Sequence, residues 1–349
     1  MPLNKQILTF FWTGVILVGP STAIAQKRYI TKGTPGEITQ AGSSPAVLTE
    51  LWREPKQIGS ENLFYGPGGK EHEPHGPFTF VKEDMSGTNP KYDVRDEDGV
   101  KWKIKLGAEA RPETVATRFV WAVGYHADED YFLPEAEVKG LPAHLRRGRK
   151  MVAANGVMHN VRLKREEGEK SEGYWRWRDN PFTGTRELYG LRVMMAVISN
   201  WDLKDDNNSV RDEKRKGGEE RREYEVRDLG ASFGSPGEGA THAGSKGNVV
   251  AYRRSKFIKR EGREFVDFNI PARPAMIFLF NPHEFFGRMN LRWIGRHIPR
   301  EDAKWVGDML GQLSHDQIRD AFRAAGYSGE ELDGFTSAFE GRIAELKEL

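Results

Sequence analysis

Three short segments carry side chains suited to handling a phosphoryl group. The first is Asn200-Trp201-Asp202-Leu203-Lys204-Asp205-Asp206-Asn207, where a carboxylate and a carboxamide stand five residues apart with a lysine between them. The second is Val226-Arg227-Asp228-Leu229-Gly230, an aspartate that leaves strand-like residues and enters a turn. The third is Ile104-Lys105-Leu106, a lysine between apolar neighbours, ahead of a helix beginning near Glu113. Phosphoryl transfer asks for oxygen ligands to a metal, a cation on the phosphates and a group that orients the attacking hydroxyl. Carboxylate and carboxamide oxygens suit Mg2+, which prefers oxygen and keeps several waters.

The hydrophobic pattern shows which elements must position these residues. Phe78-Thr79-Phe80-Val81 has strand composition, Tyr92-Asp93-Val94 alternates, and Asp98-Gly99 is a tight-turn pair. Residues 100–106 alternate apolar and basic side chains, so these strands read as an antiparallel meander with one wet face. Pro112 and Glu113 suit the first turn of a helix whose apolar stripe is Val115, Phe119, Val120 and Val123, closed by Gly124. Strand composition resumes at 131–133 and 136–138. Leu188, Leu191, Met195 and Ile198 mark the buried face of a second helix, which runs directly into Asn200. The charged stretch 211–223, broken by Gly217-Gly218, reads as a protruding hairpin with a solvated face. Ser314 with Gln317, and Ser328 with Glu331, read as capping boxes of C-terminal helices separated by Gly326.

Taken in order, these pieces resemble the protein-kinase-like superfamily, in the style of its HipA-type and phosphoinositide-kinase-like branches. Asp202, Leu203, Lys204 and Asn207 match the catalytic loop, Asp228-Leu229-Gly230 the metal-binding Asp-Phe-Gly, and Lys105 with Glu113 the strand lysine and its helix glutamate. The resemblance implies an α+β, two-lobed fold. A small antiparallel β lobe with one helix would span 61–138, and a larger, mainly helical lobe 139–349. It implies that Lys105 holds the phosphates of ATP, Glu113 orients Lys105, and Asp202 orients or deprotonates the acceptor hydroxyl. Asn207 and Asp228 would hold Mg2+, and Lys204 would neutralise the transferring phosphate. Several features depart from the pattern. No Gly-x-Gly-x-x-Gly loop precedes Lys105; the substitute is Met85-Ser86-Gly87-Thr88-Asn89, with Ser86, Gly87 and Thr88 covering phosphates through N–H groups and hydroxyls. Asn200 and Trp201 stand where His and Arg are usual, and no Ala-Pro-Glu follows Asp228. Lys103 shares a strand face with Lys105, and Glu109 competes with Glu113.

Composition sets the remaining bounds. Hydrophobic residues at 38% and charged residues at 30% of 349 give a globular balance, and a formal charge of +2 gives no bulk attraction for nucleic acid, which is not an expected partner. There are no cysteines, which excludes disulfides and thiolate zinc sites. Lys5, the apolar run Ile7 to Val18 and Ala23-Ile24-Ala25 form an export signal cleaved after Ala25, followed by a linker over 26–60 with little structure of its own. No other segment is apolar enough to span a bilayer. His72-Glu73-Pro74-His75, His283 and His297 read as loop or packed residues. Trp175-Arg176-Trp177-Arg178 reads as a strand with a Trp core face, and the basic run 253–263 as a solvated loop. Two functions follow as expectations. The first is an ATP- and Mg-dependent kinase acting outside the cytoplasm on a hydroxyl of a protein, lipid headgroup or small molecule. The second is a secreted pseudokinase or binding module that keeps the fold without transfer. Cleavage after Ala25 predicts a mature chain that begins at Gln26. Intact-mass spectrometry of the native protein measures this directly, and retention of Met1 would remove the export expectation.

Overall fold

The computed structural model describes residues 48–166, 171–214, 220–235, 246–271 and 277–349. The expected signal segment and residues 26–47 of the expected linker lie outside them. The molecule is α+β. Its first strand, β1 (Leu48–Glu50), is followed by β2 (Phe78–Asp84), β3 (Lys91–Arg95) and β4 (Lys101–Lys105). Helix α1 (Ala110–Ala122) leads to β5 (Asp130–Lys139) and β6 (Val157–Arg165). Five of these strands close into a barrel in the order β2-β3-β4-β6-β5. Alternation along them sends Tyr92, Val94, Trp102, Ile104, Val161 and Leu163 into the barrel core and leaves charged side chains outside.

The barrel therefore extends beyond residue 138. β6 was not visible in the sequence because Asn160, with φ +52°, interrupts the alternation between buried Met158 and buried Val161. The two strand fragments expected at 131–133 and 136–138 are one continuous strand, β5.

A second sheet has the order β1-β9-β8-β7, from β7 (Ser171–Gly173), β8 (Asn208–Lys214) and β9 (Glu220–Val226). The expected hairpin is thus β8–β9, flanked on both sides rather than standing alone; its residues 215–219 lie outside the described residues. Trp175 and Trp177 are buried, with the Trp175 indole N–H donating to Glu225 O at 2.9 Å, but their segment is irregular and not a strand. The linker expectation fails for residues 48–60. β1 pairs in parallel with β9, Leu51 and Ile58 are buried, and the Gln317 amide donates to Ile58 O at 2.9 Å. Single apolar anchors without a period leave no sequence signal.

The larger core holds α1 and α2 (Arg186–Val197), then α3 (Val249–Arg254) and a small sheet of β10 (Ile258–Glu261), β11 (Phe265–Phe268) and β12 (Ile298–Pro299). Helices α4 (Ile277–Phe280) and α5 (Pro282–Met289) lie between β11 and β12; α6 (Arg300–Leu310), α7 (His315–Ala324) and α8 (Gly329–Lys347) end the chain. The apolar stripe of α1 joins this core and not the barrel's, with Phe119 stacked on Phe339 at 3.9 Å. Thr185 caps α2, and Ser314 with Gln317 forms the expected capping box of α7. Ser328 makes no side-chain cap, and Glu331, the expected reciprocal partner, binds Arg111 at 3.0 Å. No helix among the described residues is long and apolar enough to cross a membrane.

Gly124 joins these parts. Its φ is +93°, and a Cβ there would lie 2.1 Å from Arg53 O, where the 48–60 segment hydrogen-bonds to the end of α1. Gly124→Ala is predicted to destabilise the fold by at least about 2 kcal/mol, from backbone strain plus a clash with a carbonyl that cannot rotate away. Denaturant unfolding measures this, and a change under about 0.5 kcal/mol would show that the segment yields.

Candidate functional site

The charged face of the barrel is the wall of a cavity of about 370 Å³. Register fixes its pattern. Lys91 on β3 faces Lys105 on β4, which faces Arg162 on β6; one step along, Asp93 faces Lys103, which faces Lys164. Five of these six side chains, all but Asp93, line the cavity.

Lys105 is buried, and its ammonium touches three carboxylates: Glu113 at 2.8 Å, Glu109 at 2.9 Å and Asp228 at 2.5 Å. Burial alone would pull its pKa down; Glu113, Asp228 and Glu109 outweigh this and hold it above the usual lysine range. Glu109 and Glu113 are four residues apart at the start of α1 and so share a face. Each has a second cation, Lys246 for Glu109 and Arg162 for Glu113, both at 2.5 Å. Lys103 is separated from Lys105 by its partners, since it meets Asp84 at 2.9 Å and Asp93 at 3.2 Å.

Asp228 is held in a left-handed turn with φ +57°, anchored by buried Leu229. Gly230 permits the turn to press on α1, because a Cβ there would lie 2.5 Å from that of Glu109. Burial raises the Asp228 pKa, but Lys105 overrides it and the carboxyl falls to about 2. Asp228 is therefore paired and ionised. The Lys105 ammonium sits among the carboxylates of Glu109, Glu113 and Asp228 and offsets their mutual repulsion.

The loop after α2 is closed by its own side chains. Ser199 takes φ +51°, and the buried Asn200 carboxamide accepts from Asp202 N–H at 2.8 Å. The Asn207 amide donates to Asp202 O at 2.6 Å, leaving its Oδ1 as the atom able to accept or ligate. Arg227 N–H donates to Asn207 O at 2.8 Å and ties this loop to the Asp228 turn. Asn207 and Asp228 both line the cavity. Asp202 does not; its carboxylate lies 2.7 Å from Arg288 and 3.6 Å from Lys204. The structure thus brings Asn207 and Asp228 to the cavity that Lys105 lines, and it leaves Asp202 and Lys204 off that lining.

The loop over β2–β3 also differs from its expected role. Ser86 lines the cavity, but its N–H already donates to Asp84 at 2.8 Å. Gly87 and Thr88 are exposed and off the wall, and Arg147 draws the Ser86 and Gly87 carbonyls toward itself at 3.2 and 3.0 Å. Lys91, Arg162 and Arg288 were missed. The first two follow from alternation once β3 and β6 are paired; Arg288 has no sequence signal. It is buried, donates to Trp201 O at 3.2 Å and lies over the Trp201 ring at 4.6 Å. Elsewhere, His72 meets Glu129 at 2.9 Å, and His297 stacks on Phe265 at 3.7 Å. Glu50, His126 and Glu223 also cluster, but Arg53 and Arg221 already supply the positive charge a metal would bring.

No protein-family model matches this chain, and no curated protein does. Among solved structures it is similar to a proinflammatory kinase of Helicobacter pylori, CtkA, at 11% identity, covering 79% of this chain and 98% of that one with a TM-score of 0.42. So loose a superposition adds no weight to any assignment of activity.

The Lys105–Asp228 contact has a definite pH signature. The Asp228 carboxyl has a folded pKa of about 2 against an ordinary value of 3.8, so its contribution is fully present above about pH 4 and is lost as pH falls toward 2. The Tm difference between wild type and Asp228→Asn is predicted to be constant near neutrality and to close across that window. A difference that persists undiminished at pH 2 would mean that the carboxylate's charge is not what stabilises the turn.

Proposed function

We propose that this protein is a kinase-like phosphotransferase that moves the terminal phosphoryl group of ATP to a hydroxyl. The observation that carries the reading is the placement of Lys105, Glu113, Asp228 and Asn207 on one polar cavity, with Asn207 tied to the backbone of Asp202. Two lobes are part of the reading, the barrel with its own core and the helical region with another. Lys105 binds the donor phosphates, and Glu113, locked by Arg162, fixes the direction of the ammonium. Asn207 Oδ1 and the Asp228 carboxylate are a donor set suited to Mg2+, which supplies charge neutralisation on the phosphates when bound. Asp202 accepts the proton of the attacking hydroxyl. The terminal P–O bond of the donor breaks, a P–O bond to the acceptor oxygen forms, and the shortened phosphoanhydride leaves. With the export signal at its start, the chain acts on an acceptor outside the cytoplasm.

A second reading, a binding module without transfer, draws on one specific observation. Arg288 occupies the Asp202 carboxylate, and Lys105 occupies that of Asp228. Two variants separate the readings. Asp202→Asn is predicted to lower the transfer rate by about 10²- to 10⁴-fold while leaving donor affinity unchanged, as removal of a proton acceptor does. Asp228→Ala is predicted to remove the Mg-dependent part of ATP stabilisation, the whole of which, for wild type with ATP and Mg2+ together, is about 2.7 kcal/mol at a hundredfold excess over Kd. Stabilisation by ATP and Mg2+ without turnover of any hydroxyl acceptor would favour the binding module.

A further inference from the structure

We propose that the cavity recognises its donor through the phosphoanhydride alone, without reading a nucleobase, and that Lys91 is the second cation that holds it. This rests on the phosphotransferase reading and names the donor class of that site.

The first observation is the chemistry of the wall. Of its eighteen lining side chains, eight are lysine or arginine, and among the described residues none is aliphatic or aromatic. A nucleobase has two apolar faces, and sites that hold one place aromatic or aliphatic side chains against them. The barrel does own such side chains, but alternation turns Trp102, Ile104, Val161 and Leu163 into its interior, on the far side of the strands from the cavity. Two segments next to the wall in sequence hold no apolar side chain, residues 166–170 reading Glu-Glu-Gly-Glu-Lys and 204–209 reading Lys-Asp-Asp-Asn-Asn-Ser, while Met85, before Ser86 on the β2–β3 loop, is the exposed apolar neighbour.

The second observation is the cationic row Lys91–Lys105–Arg162 across three strands. Like charges facing one another across strands repel unless something lies between or beside them. Lys105 and Arg162 each have carboxylates within 3 Å. The Lys91 ammonium makes no hydrogen bond or ion pair among the described residues; burial and the Lys105 charge work against it, and Asp228, Asp84 and Glu113, beyond ion-pair distance, offset this only in part. It lies under the β2–β3 loop, its Nζ 3.3 Å from where a Gly87 Cβ would stand. An anion with several oxygens placed between Lys91 and Lys105 would satisfy the first cation and screen it from the second. A chain of linked phosphates provides such oxygens at successive positions, and the wall has no apolar side chain to sandwich a base. ATP binds by its triphosphate only, and an inorganic polyphosphate substitutes for it. The terminal P–O bond of that polyphosphate breaks as a P–O bond to the acceptor oxygen forms, the hydroxyl proton goes to Asp202, and the chain leaves one phosphate shorter.

The test uses the full chain with Mg2+ and four probes: ATP, GTP, inorganic tripolyphosphate and adenosine, measured by calorimetry. ATP, GTP and tripolyphosphate are expected to bind within about threefold of one another, and adenosine not at all. Lys91→Gln is expected to weaken all three by a common factor of about tenfold or more, the size of a charge-assisted phosphate contact. The ligand-free Tm of that variant should be equal to or above that of wild type, since a repelling charge is gone. Stacking a base is worth roughly 5- to 150-fold in affinity. ATP binding tenfold or more tighter than tripolyphosphate, or measurable adenosine binding, would therefore overturn base-free recognition and leave the phosphotransferase reading intact. Unchanged affinities in Lys91→Gln would overturn the role of Lys91. Binding of none of the phosphates would overturn this inference and the phosphotransferase reading together.

Discussion

The buried ammonium of Lys105 is the constraint on which the site depends. Taking an isolated charge out of water costs several kcal/mol, repaid only where partners of opposite sign surround it with good geometry. Here the partners come from separate parts of the chain. Glu109 and Glu113 arrive on the first turn of α1, and Asp228 on the turn that leaves β9. The barrel supplies the cation and everything else supplies the anions, so their contact fixes how strand, helix and turn meet. α1 can serve because its other face is already committed: Val115, Phe119 and Val120 are buried in the helical core, with Phe119 stacked on Phe339. The helix that carries the two glutamates is anchored to α8 and presents them to a barrel strand.

The same alternation that builds the barrel builds the wall. Each of β3, β4 and β6 sends one set of residues into a dry interior and the other to the cavity, and pairing stacks the outer set into rows of charge. Arg162 is the clearest consequence. It faces Lys105 across the ladder and binds the second oxygen of Glu113, so the glutamate is gripped from both sides. A glutamate held this way has no rotamer freedom left to lose when a ligand arrives, which is the sense in which the site is preorganised.

Sequence reading reached the elements that repeat and missed those that do not. α1 and α2 were legible from apolar spacing, β3 and β4 from alternation, and the α7 cap from Ser314 and Gln317. The pairing of Lys105 with Glu113 was an expectation that left Lys103 and Glu109 open as alternatives, and the direct contact of Lys105 with Asp228 came from the structure; the roles of these residues belong to the proposal. β6 was hidden because Asn160 breaks its period, and residues 48–60 because Leu51 and Ile58 are single anchors. Lys91 and Arg162 looked like ordinary wet-face charges, since a sequence does not say which strand lies beside which. Arg288 reaches Asp202 across 86 positions of sequence, from a short helix with no feature that marks it. The Ser328–Glu331 pair shows the opposite error, a local motif that does not form while Glu331 binds Arg111.

In the structure each acidic group proposed for chemistry is already neutralised by a neighbour of its own, Asp228 by Lys105 and Asp202 by Arg288. Under the proposed reading Asp228 must exchange its partner before it can meet a ligand. The wall's eight lysine and arginine side chains against six carboxylates leave a formal excess of two positive charges, and a metal-complexed triphosphate brings a comparable negative excess. On that reading, an incoming phosphate would compete with Asp228 for Lys105, and an Asp228 released from the ammonium would be free to ligate a metal. The two binding events would then favour one another through a single side chain, a coupling that is necessarily reciprocal. Asp202 lacks that exchange, because Arg288 is buried and fixed against Trp201. Its carboxylate is instead held in one orientation, 2.7 Å from the Arg288 guanidinium.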